Sequence, residues 1–237
     1  MVFNRIIVFG CSFAQGDCME IEGKNLPHHT FIRQTSASLY HEVIYETQSG
    51  GSSDRMYRKF FDWIASCKNN TYLSNTLMVF GWTGKSRFEF YDDLASKWRH
   101  ISIPGGREGQ REFDQEEHNT NDFHPEHRKL FYNHLDSTYR FMNLKEKEKD
   151  VERKIFSVES VCKQMNIPYV MFDSLDNTNL DLLDKTHWIN WDGKFGSWDD
   201  MNESNSELYR GYDDSHPSKE SHKEWGRLLD LKVKELY

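Results

Sequence analysis

Arg5-Ile-Ile-Val-Phe9 runs straight into Gly10-Cys-Ser-Phe-Ala-Gln-Gly16. Ile6, Ile7, Val8 and Phe9 form an unbroken apolar run, rich in β-branched residues and stopped by a glycine. That is the pattern of a strand buried on both faces, as in a parallel sheet. Three more runs share it: Val43-Ile-Tyr-Glu-Thr47 before Ser49-Gly50-Gly51, Thr76-Leu-Met-Val-Phe80 before Gly81, and Pro168-Tyr-Val-Met-Phe172 before Asp173-Ser174. Helical spacing fills the gaps between them. Thr30 to Tyr40 repeats at about four residues. Ser53 to Cys67 carries Met56, Phe60, Phe61 and Ile64 on one face, with Ser52, Ser53 or Asp54 available as a cap. Glu152 to Met165 carries Ile155, Val158, Val161, Cys162 and Met165 and ends at a possible cap, Asn166. Ser218 to Leu236 carries Trp225, Leu228, Leu229, Leu231 and Val233. Strand and helix alternate, which predicts βαβ units and a parallel sheet with helices on both faces.

Two stretches interrupt this order. Lys85 to Asn121 is polar and contains Gly105-Gly106, and reads as a long loop or an inserted excursion. His127 to Asp150 reads as a helix whose tail, Lys145-Glu-Lys-Glu-Lys-Asp150, is a solvated end with i,i+4 pairing rather than a binding tract. Asp184 to Tyr212 reads as a loop carrying Trp188, Trp191 and Trp198. No internal repeat and no interdomain linker stands out, so 1–237 is expected to be one domain with an excursion at about 85–150.

Composition bounds the function. The 237 residues hold 30 Lys and Arg against 38 Asp and Glu, a net charge of −8. A protein built mainly to bind nucleic acid or an anionic membrane surface needs the opposite balance. Aromatic residues at 14% supply large buried areas, which argues against disorder despite a mean hydropathy of −0.82. No run of about 18 apolar residues is present, and the first ten residues do not make a secretory signal. The four cysteines, Cys11, Cys18, Cys67 and Cys162, form no C-x-x-C pair and are expected to be free thiols in a reducing compartment. His28-His29, His118 and His124-Pro-Glu-His127 have no convincing metal-ligand spacing.

In an open parallel sheet ligands bind beyond the carboxyl ends of the strands. Ser12 lies two residues past the end of the first run, where a tight turn presents its hydroxyl beside backbone N–H groups. A serine hydroxyl needs a neighbouring imidazole to take its proton. Asp213-Asp-Ser-His216 precedes the last helix, and Asp-x-x-His spacing lets one short loop hold both groups, Asp213 accepting the imidazole Nδ1–H while Nε2 faces the serine. Asp214 is one residue nearer and the less favourable partner. Each piece alone also reads as a turn or a helix cap; their joint placement carries the functional reading.

On these residues the chain resembles the SGNH, or GDSL-like, hydrolases. Gly10-Cys11-Ser12 with Gly16 is similar to that family's first block, with Cys11 where Asp is usual and Phe13 where Leu is usual. Asp213 and His216 resemble its last block. Gln48-Ser-Gly-Gly-Ser-Ser-Asp-Arg55 takes the place of the second block and Gly81-Trp-Thr-Gly84 that of the third, with Thr83 where Asn is expected. The resemblance implies a three-layer α/β/α, flavodoxin-like sandwich with a parallel sheet of about five strands, the fifth near His187 to Asn190. It implies Ser12 as nucleophile, His216 as general base and then acid, Asp213 as its orienter, and an oxyanion hole made by Ser12, Gly51 and Thr83. It implies a serine esterase acting on a small acyl ester, with no cofactor and no metal. Phe80-Gly-Trp-Thr followed by Arg87 and Glu89, with Gly51-Ser-Ser-Asp-Arg55 upstream, looks most like a divergent bacteriophage-encoded group, which would place the protein in the host cytoplasm or on a virion.

Trp82, Arg87 and Glu89 are candidates for the substrate pocket, Arg87 and Glu89 equally for a structural ion pair, and Asp54-Arg55 for a pair at a helix start. Trp82, Trp188, Trp191 and Trp198 could stack on the sugar of a carbohydrate O-acetyl ester, or simply pack in the core. The expected partner is a small-molecule or carbohydrate ester, with neither nucleic acid nor membrane. The rival readings are an acyltransferase on the same fold and a catalytically degenerate structural or binding protein of a phage.

Overall fold

The computed structural model describes residues 3–16, 20–21, 24–25, 30–34, 40–67, 70–93, 96–102, 129–130, 133, 137–138, 141–211 and 216–237. Strand β1 (Phe3–Gly10) leads into the short helix α1 (Ser12–Gln15). The two-residue strands β2 (Glu20–Ile21) and β3 (Lys24–Asn25) pair with each other, and α2 (Phe31–Gln34) follows. Then come β4 (Tyr40–Thr47), α3 (Ser53–Ser66), α4 (Asn70–Ser74) and β5 (Thr76–Trp82). An antiparallel hairpin, β6 (Arg87–Asp92) and β7 (Lys97–Ser102), precedes the long helix α5 (Leu144–Met165). The chain closes with β8 (Tyr169–Asp173), α6 (Trp198–Ser204), α7 (Ser206–Tyr209) and α8 (Lys219–Leu236).

The four expected strands form one parallel sheet in the order β4-β1-β5-β8. Their side chains alternate between two cores, as the two-residue period of a strand requires. Ile6, Val8, Leu77, Val79, Val170 and Phe172 point to one face, where α8 brings Trp225, Leu229 and Val233. Ile7, Phe9, Met78, Phe80, Tyr169 and Met171 point to the other, covered by Met56 and Phe60 of α3 and Ile155, Val158 and Cys162 of α5. The architecture is therefore a three-layer α/β/α sandwich. Burial on both faces explains why β1, β5 and β8 read as continuous apolar runs, whereas β4, at the edge, is only half-buried.

After β1 the chain moves to one side of the sheet, to β4. It then crosses back to β5 and continues outward to β8. The reversal falls between β1 and β5, so the crevice at their carboxyl ends is the topological switch point.

Helix ends follow local chemistry. Ser52 caps α3 by accepting the Arg55 N–H at 3.2 Å, and Ser218 caps α8 by accepting the Ser221 N–H at 3.1 Å. Asn166 ends α5 in the left-handed region, at φ 53°, while Ile167 N–H reaches back to the Cys162 carbonyl at 2.8 Å. This is the Schellman arrangement, in which two otherwise orphaned carbonyls are satisfied.

Five expectations are corrected or refined. The sheet has four strands among the described residues. The expected fifth, His187 to Asn190, reduces to a single parallel bridge of Trp188 to Met171, with Ile189 N–H on the Met171 carbonyl at 2.9 Å. Of the helix expected over Thr30 to Tyr40, α2 spans Phe31–Gln34, residues 35–39 lie outside the described ones, and Tyr40 already belongs to β4. The expected loop from Lys85 begins with the β6–β7 hairpin. There Phe88 is buried on one side while Tyr91 and Trp98 face outward in register. The charged run Lys145 to Asp150 is not the tail of a preceding helix. It opens α5, because Asn143 accepts the N–H groups of Lys145 and Glu146 and sets a new helix start. Asp184 to Tyr212, expected as a loop, contains α6 and α7.

Because a β-branched residue in the left-handed region costs about 1–2 kcal/mol, Asn166→Val should lower the unfolding free energy by that amount. Asn166→Gly should stay within about 0.5 kcal/mol of the parent. Urea denaturation of both variants measures the difference.

Candidate active site

The site begins with an abrupt turn at the end of β1. A Cβ on Gly10 would fall 2.5 Å from the Ala14 Cβ, so only glycine lets the strand fold directly into α1. Ser12 opens that helix and is 2% exposed. Gly16 closes it at φ 83° and donates its N–H to the Ser12 carbonyl at 2.9 Å. The Ser12 backbone is thus held at both ends of a four-residue helix.

Gly51 lies against this turn. A Cβ there would sit 3.1 Å from the Gly10 carbonyl oxygen and 3.6 Å from the Cys11 Cα. Its N–H, expected as an oxyanion donor, is donated to the Gln48 carbonyl at 2.9 Å. Thr83 follows β5 directly and is fully buried. Its N–H donates to Ser53 Oγ at 3.3 Å, and its hydroxyl lies 3.4 Å from the same atom. Ser53 therefore links the first turn of α3 to the third motif. The sequence marked it only as a possible cap, because nothing local indicates a partner thirty residues away.

His216 arrives from the other end of the chain. Its carbonyl accepts the Gly211 N–H at 2.7 Å, and Arg210 bridges Pro217. Its ring lies 5.8 Å, centroid to centroid, from that of Phe13, the residue after Ser12. The fold thus brings the first-strand turn and the last-helix loop to one edge of the sheet. Asp213 and Asp214 lie outside the described residues, as do His28, His29, His118, His124, His127 and Cys18.

The remaining pocket candidates are built into the scaffold. Trp82 is fully buried and stacks on Phe80, with centroids 5.7 Å apart. Glu89 holds Arg58 through two hydrogen bonds, at 2.8 and 3.0 Å, and its N–H donates to Asp54 at 3.1 Å. The ion pair therefore joins the hairpin to α3 instead of joining Glu89 to Arg87. Asp54 also takes Lys154 of α5, while Arg55 donates to the Glu46 carbonyl at 2.6 Å, so these two do not pair with each other. Arg87 is half-buried, and its Nη1 has no hydrogen-bond partner among the described residues. Trp188, Trp191 and Trp198 are all buried in the two cores, so the packing alternative holds for them. Among the described residues no group of three or more His, Cys, Asp or Glu gathers around a point, and no helix is long and apolar enough to cross a membrane.

Two buried titratable groups escaped the sequence reading. Asp173 ends β8 and accepts the Thr178 N–H at 2.8 Å and its hydroxyl at 2.6 Å. Burial pushes its carboxyl up to about 7; the Thr178 bonds oppose this, and the charges of Asp176 and Asp200 add to it. His222, in α8, accepts the Phe31 N–H on Nδ1 at 3.1 Å, which leaves the neutral ring's proton on Nε2. Burial pushes it down to about 3, and the charge of His216 acts in the same direction.

Comparison with known proteins adds fold likeness only. No family model matches the chain, and no curated protein does. Among solved structures, a psychrotrophic esterase EstA from Pseudoalteromonas is 9% identical, with 98% of each chain covered and a TM-score of 0.49. A member of the lipolytic G-D-S-L family from Veillonella parvula is 12% identical over 98% of this chain and 97% of its own, with a TM-score of 0.37. A GDSL-like lipase from Bacteroides thetaiotaomicron is 13% identical over 99% and 89%, with a TM-score of 0.35. All three scores lie below 0.5, so the architecture rests on this chain's own strand order.

The two buried groups should make stability depend on pH in opposite ways. Between pH about 4 and 7 folded Asp173 keeps a proton that the unfolded chain has released, so its contribution falls as pH rises; Asp173→Asn should remove that fall, on the order of a few kcal/mol. Between pH about 3 and 6.5 the unfolded chain protonates His222 and the folded chain does not, so its contribution rises with pH; His222→Gln should remove that rise. Denaturation midpoints of the parent and both variants from pH 4 to 8 check both slopes.

Proposed function

We propose that the chain is a serine esterase of the SGNH type, of the divergent bacteriophage-encoded group, acting on a small acyl ester such as an O-acetylated carbohydrate. In this reading Ser12 attacks the ester carbonyl and His216 takes its proton, oriented by Asp213. The tetrahedral oxyanion is received by the N–H groups of Ser12 and Gly51 with the Thr83 hydroxyl. His216 then protonates the leaving alcohol, and water, activated by the same imidazole, releases the acid.

One observation carries the proposal: the ring of His216 sits 5.8 Å from the ring of the residue next to Ser12, although the two lie at opposite ends of the sequence. The turn at Gly10 supports it by placing the hydroxyl-bearing residue at the switch point. The bacteriophage-type assignment draws its support from the sequence pattern of Gly51 to Arg55 and Phe80 to Glu89.

A second reading has its own observation. Gly51 N–H is donated to Gln48, and Thr83 is engaged with Ser53. These contacts favour a binding protein on the same fold whose oxyanion donors are occupied.

A fluorophosphonate probe separates the two. The esterase reading expects the purified protein to be labelled on Ser12 and to hydrolyse p-nitrophenyl acetate, with Ser12→Ala slowing turnover by at least about 10³-fold while leaving the far-ultraviolet circular dichroism unchanged. A Ser12→Ala protein with the parent's rate, or a parent that the probe leaves untouched, overturns it.

A further inference from the structure

We propose that Phe13 is a positioning residue whose ring holds the His216 imidazole in line with the Ser12 hydroxyl. This rests on the esterase reading above and adds to it a residue that touches neither substrate nor reacting atoms.

The argument begins with rigidity on the serine side. Ser12 and Phe13 are consecutive in a helix of four residues, fixed at one end by the Gly10–Ala14 contact and at the other by Gly16. Phe13 cannot shift without shifting Ser12. Phe13 is 3% exposed, and among the described residues its ring meets two others: the His216 ring at 5.8 Å and 58°, and the Trp198 ring at 5.9 Å and 86°.

Trp198 is a fixed wall behind it. It is fully buried and stacks on Trp225 at 5.1 Å and 3°, while the His222 ring meets it edge-on at 4.8 Å. Its Nε1–H donates to Ser221 Oγ at 2.7 Å, and that hydroxyl donates in turn to Asn202 Oδ1. His222 is pinned in its own right by the Phe31 N–H. A buried aromatic with its polar atom satisfied and its faces covered keeps one rotamer on the time-average. Phe13 therefore packs on a well-held indole as well as on the imidazole.

On the histidine side the backbone is anchored through the Gly211 N–H and the Arg210–Pro217 bridge. The imidazole has two rotatable bonds of its own, and the Phe13 ring is one of the surfaces that limit its rotation. Phe13 has no polar atom, so its effect on proton transfer acts through geometry alone. Misplacing a catalytic group by 1 Å is worth about 10²-fold in rate.

The test uses the full chain, with p-nitrophenyl acetate and a fluorophosphonate probe. Phe13→Ala should lower kcat and the labelling rate of Ser12 by about 10²-fold with KM within about twofold. Phe13→Leu, which restores most of the volume, should recover the parent's values to within about fivefold. Phe13→Val stays apolar but is too short to reach the imidazole; it should fall at least about tenfold and carries the test if the alanine variant does not fold. A folded Phe13→Ala or Phe13→Val protein that reacts at the parent's rate, or a loss that appears in KM alone, overturns the positioning role. A parent protein inert to the probe overturns the esterase reading itself, and that outcome is seen before any Phe13 variant is made.

Discussion

The constraint from which the candidate site is built is the approach of Ala14 to Gly10. A side-chain carbon at position 10 would lie 2.5 Å from the Ala14 Cβ, a separation that packed carbons do not reach. Strand β1 therefore passes into α1 with only Cys11 between them, and Ser12 stands at the edge of the sheet instead of several residues away in a loop. The same compact turn leaves room for Gly51 to rest on the Gly10–Cys11 backbone. It also aims Phe13 at the aromatic group that α6 and α8 assemble. Each further element of the candidate site is defined by its relation to this turn.

The sheet supplies the rest of the placement. Since β1 lies between β4 and β5, the segments after all three strands emerge side by side. Gly51 follows β4, Ser12 follows β1 and Thr83 follows β5, so three residues separated by up to seventy-one positions in the chain come to neighbouring strand ends. The two cores fix the sheet between them. Loss of one large buried side chain in such a core costs about 3–5 kcal/mol, a large share of the 5–15 kcal/mol by which a domain is stable. Strand register, and with it the alignment of these segments, is therefore strongly held.

What the sequence made legible was local. The runs at Arg5–Phe9, Thr76–Phe80 and Pro168–Phe172 marked three strands because burial on both faces leaves an unbroken apolar signature, and Val43–Thr47 marked the half-buried edge strand by its β-branched residues. Asn166 and Ser218 marked helix ends because capping is a contact between near neighbours. The failures were non-local. The β6–β7 hairpin is anchored to the body through the Glu89–Arg58 pair, thirty-one residues apart. The beginning of α5 was hidden because Lys145 to Asp150 is charged throughout, while the pair joining that run to the body, Lys85 with Glu148, spans sixty-three residues. The tryptophans of the 184–212 segment were ambiguous for the same reason: an indole that packs on Trp225 and one that stacks on a sugar have the same spacing in sequence. At the candidate site the turn and the histidine loop were legible from their motifs. The Ser53–Thr83 link and the aromatic wall behind Phe13 were not, since neither follows from any short spacing.

The engaged state of two proposed oxyanion donors bears on which functional reading the energetics favour. Gly51 N–H bonds to Gln48, and the Thr83 hydroxyl lies near Ser53, both with neutral acceptors. A neutral hydrogen bond of this kind contributes about 0.5–1.5 kcal/mol net. The same donor aimed at a developing oxyanion in a dry site is worth about 2.7–4 kcal/mol. Exchange of the internal acceptor for the oxyanion is therefore favourable in the transition state, by roughly 1–3 kcal/mol per donor on these figures. A ground-state ester carbonyl is a neutral acceptor and gains nothing comparable from the exchange. Donors held by weak internal partners would thus select the transition state over the substrate, which is the condition for catalysis rather than for binding alone. On this account occupied donors are compatible with the esterase reading, and Ser53 becomes the partner that Thr83 exchanges as charge develops.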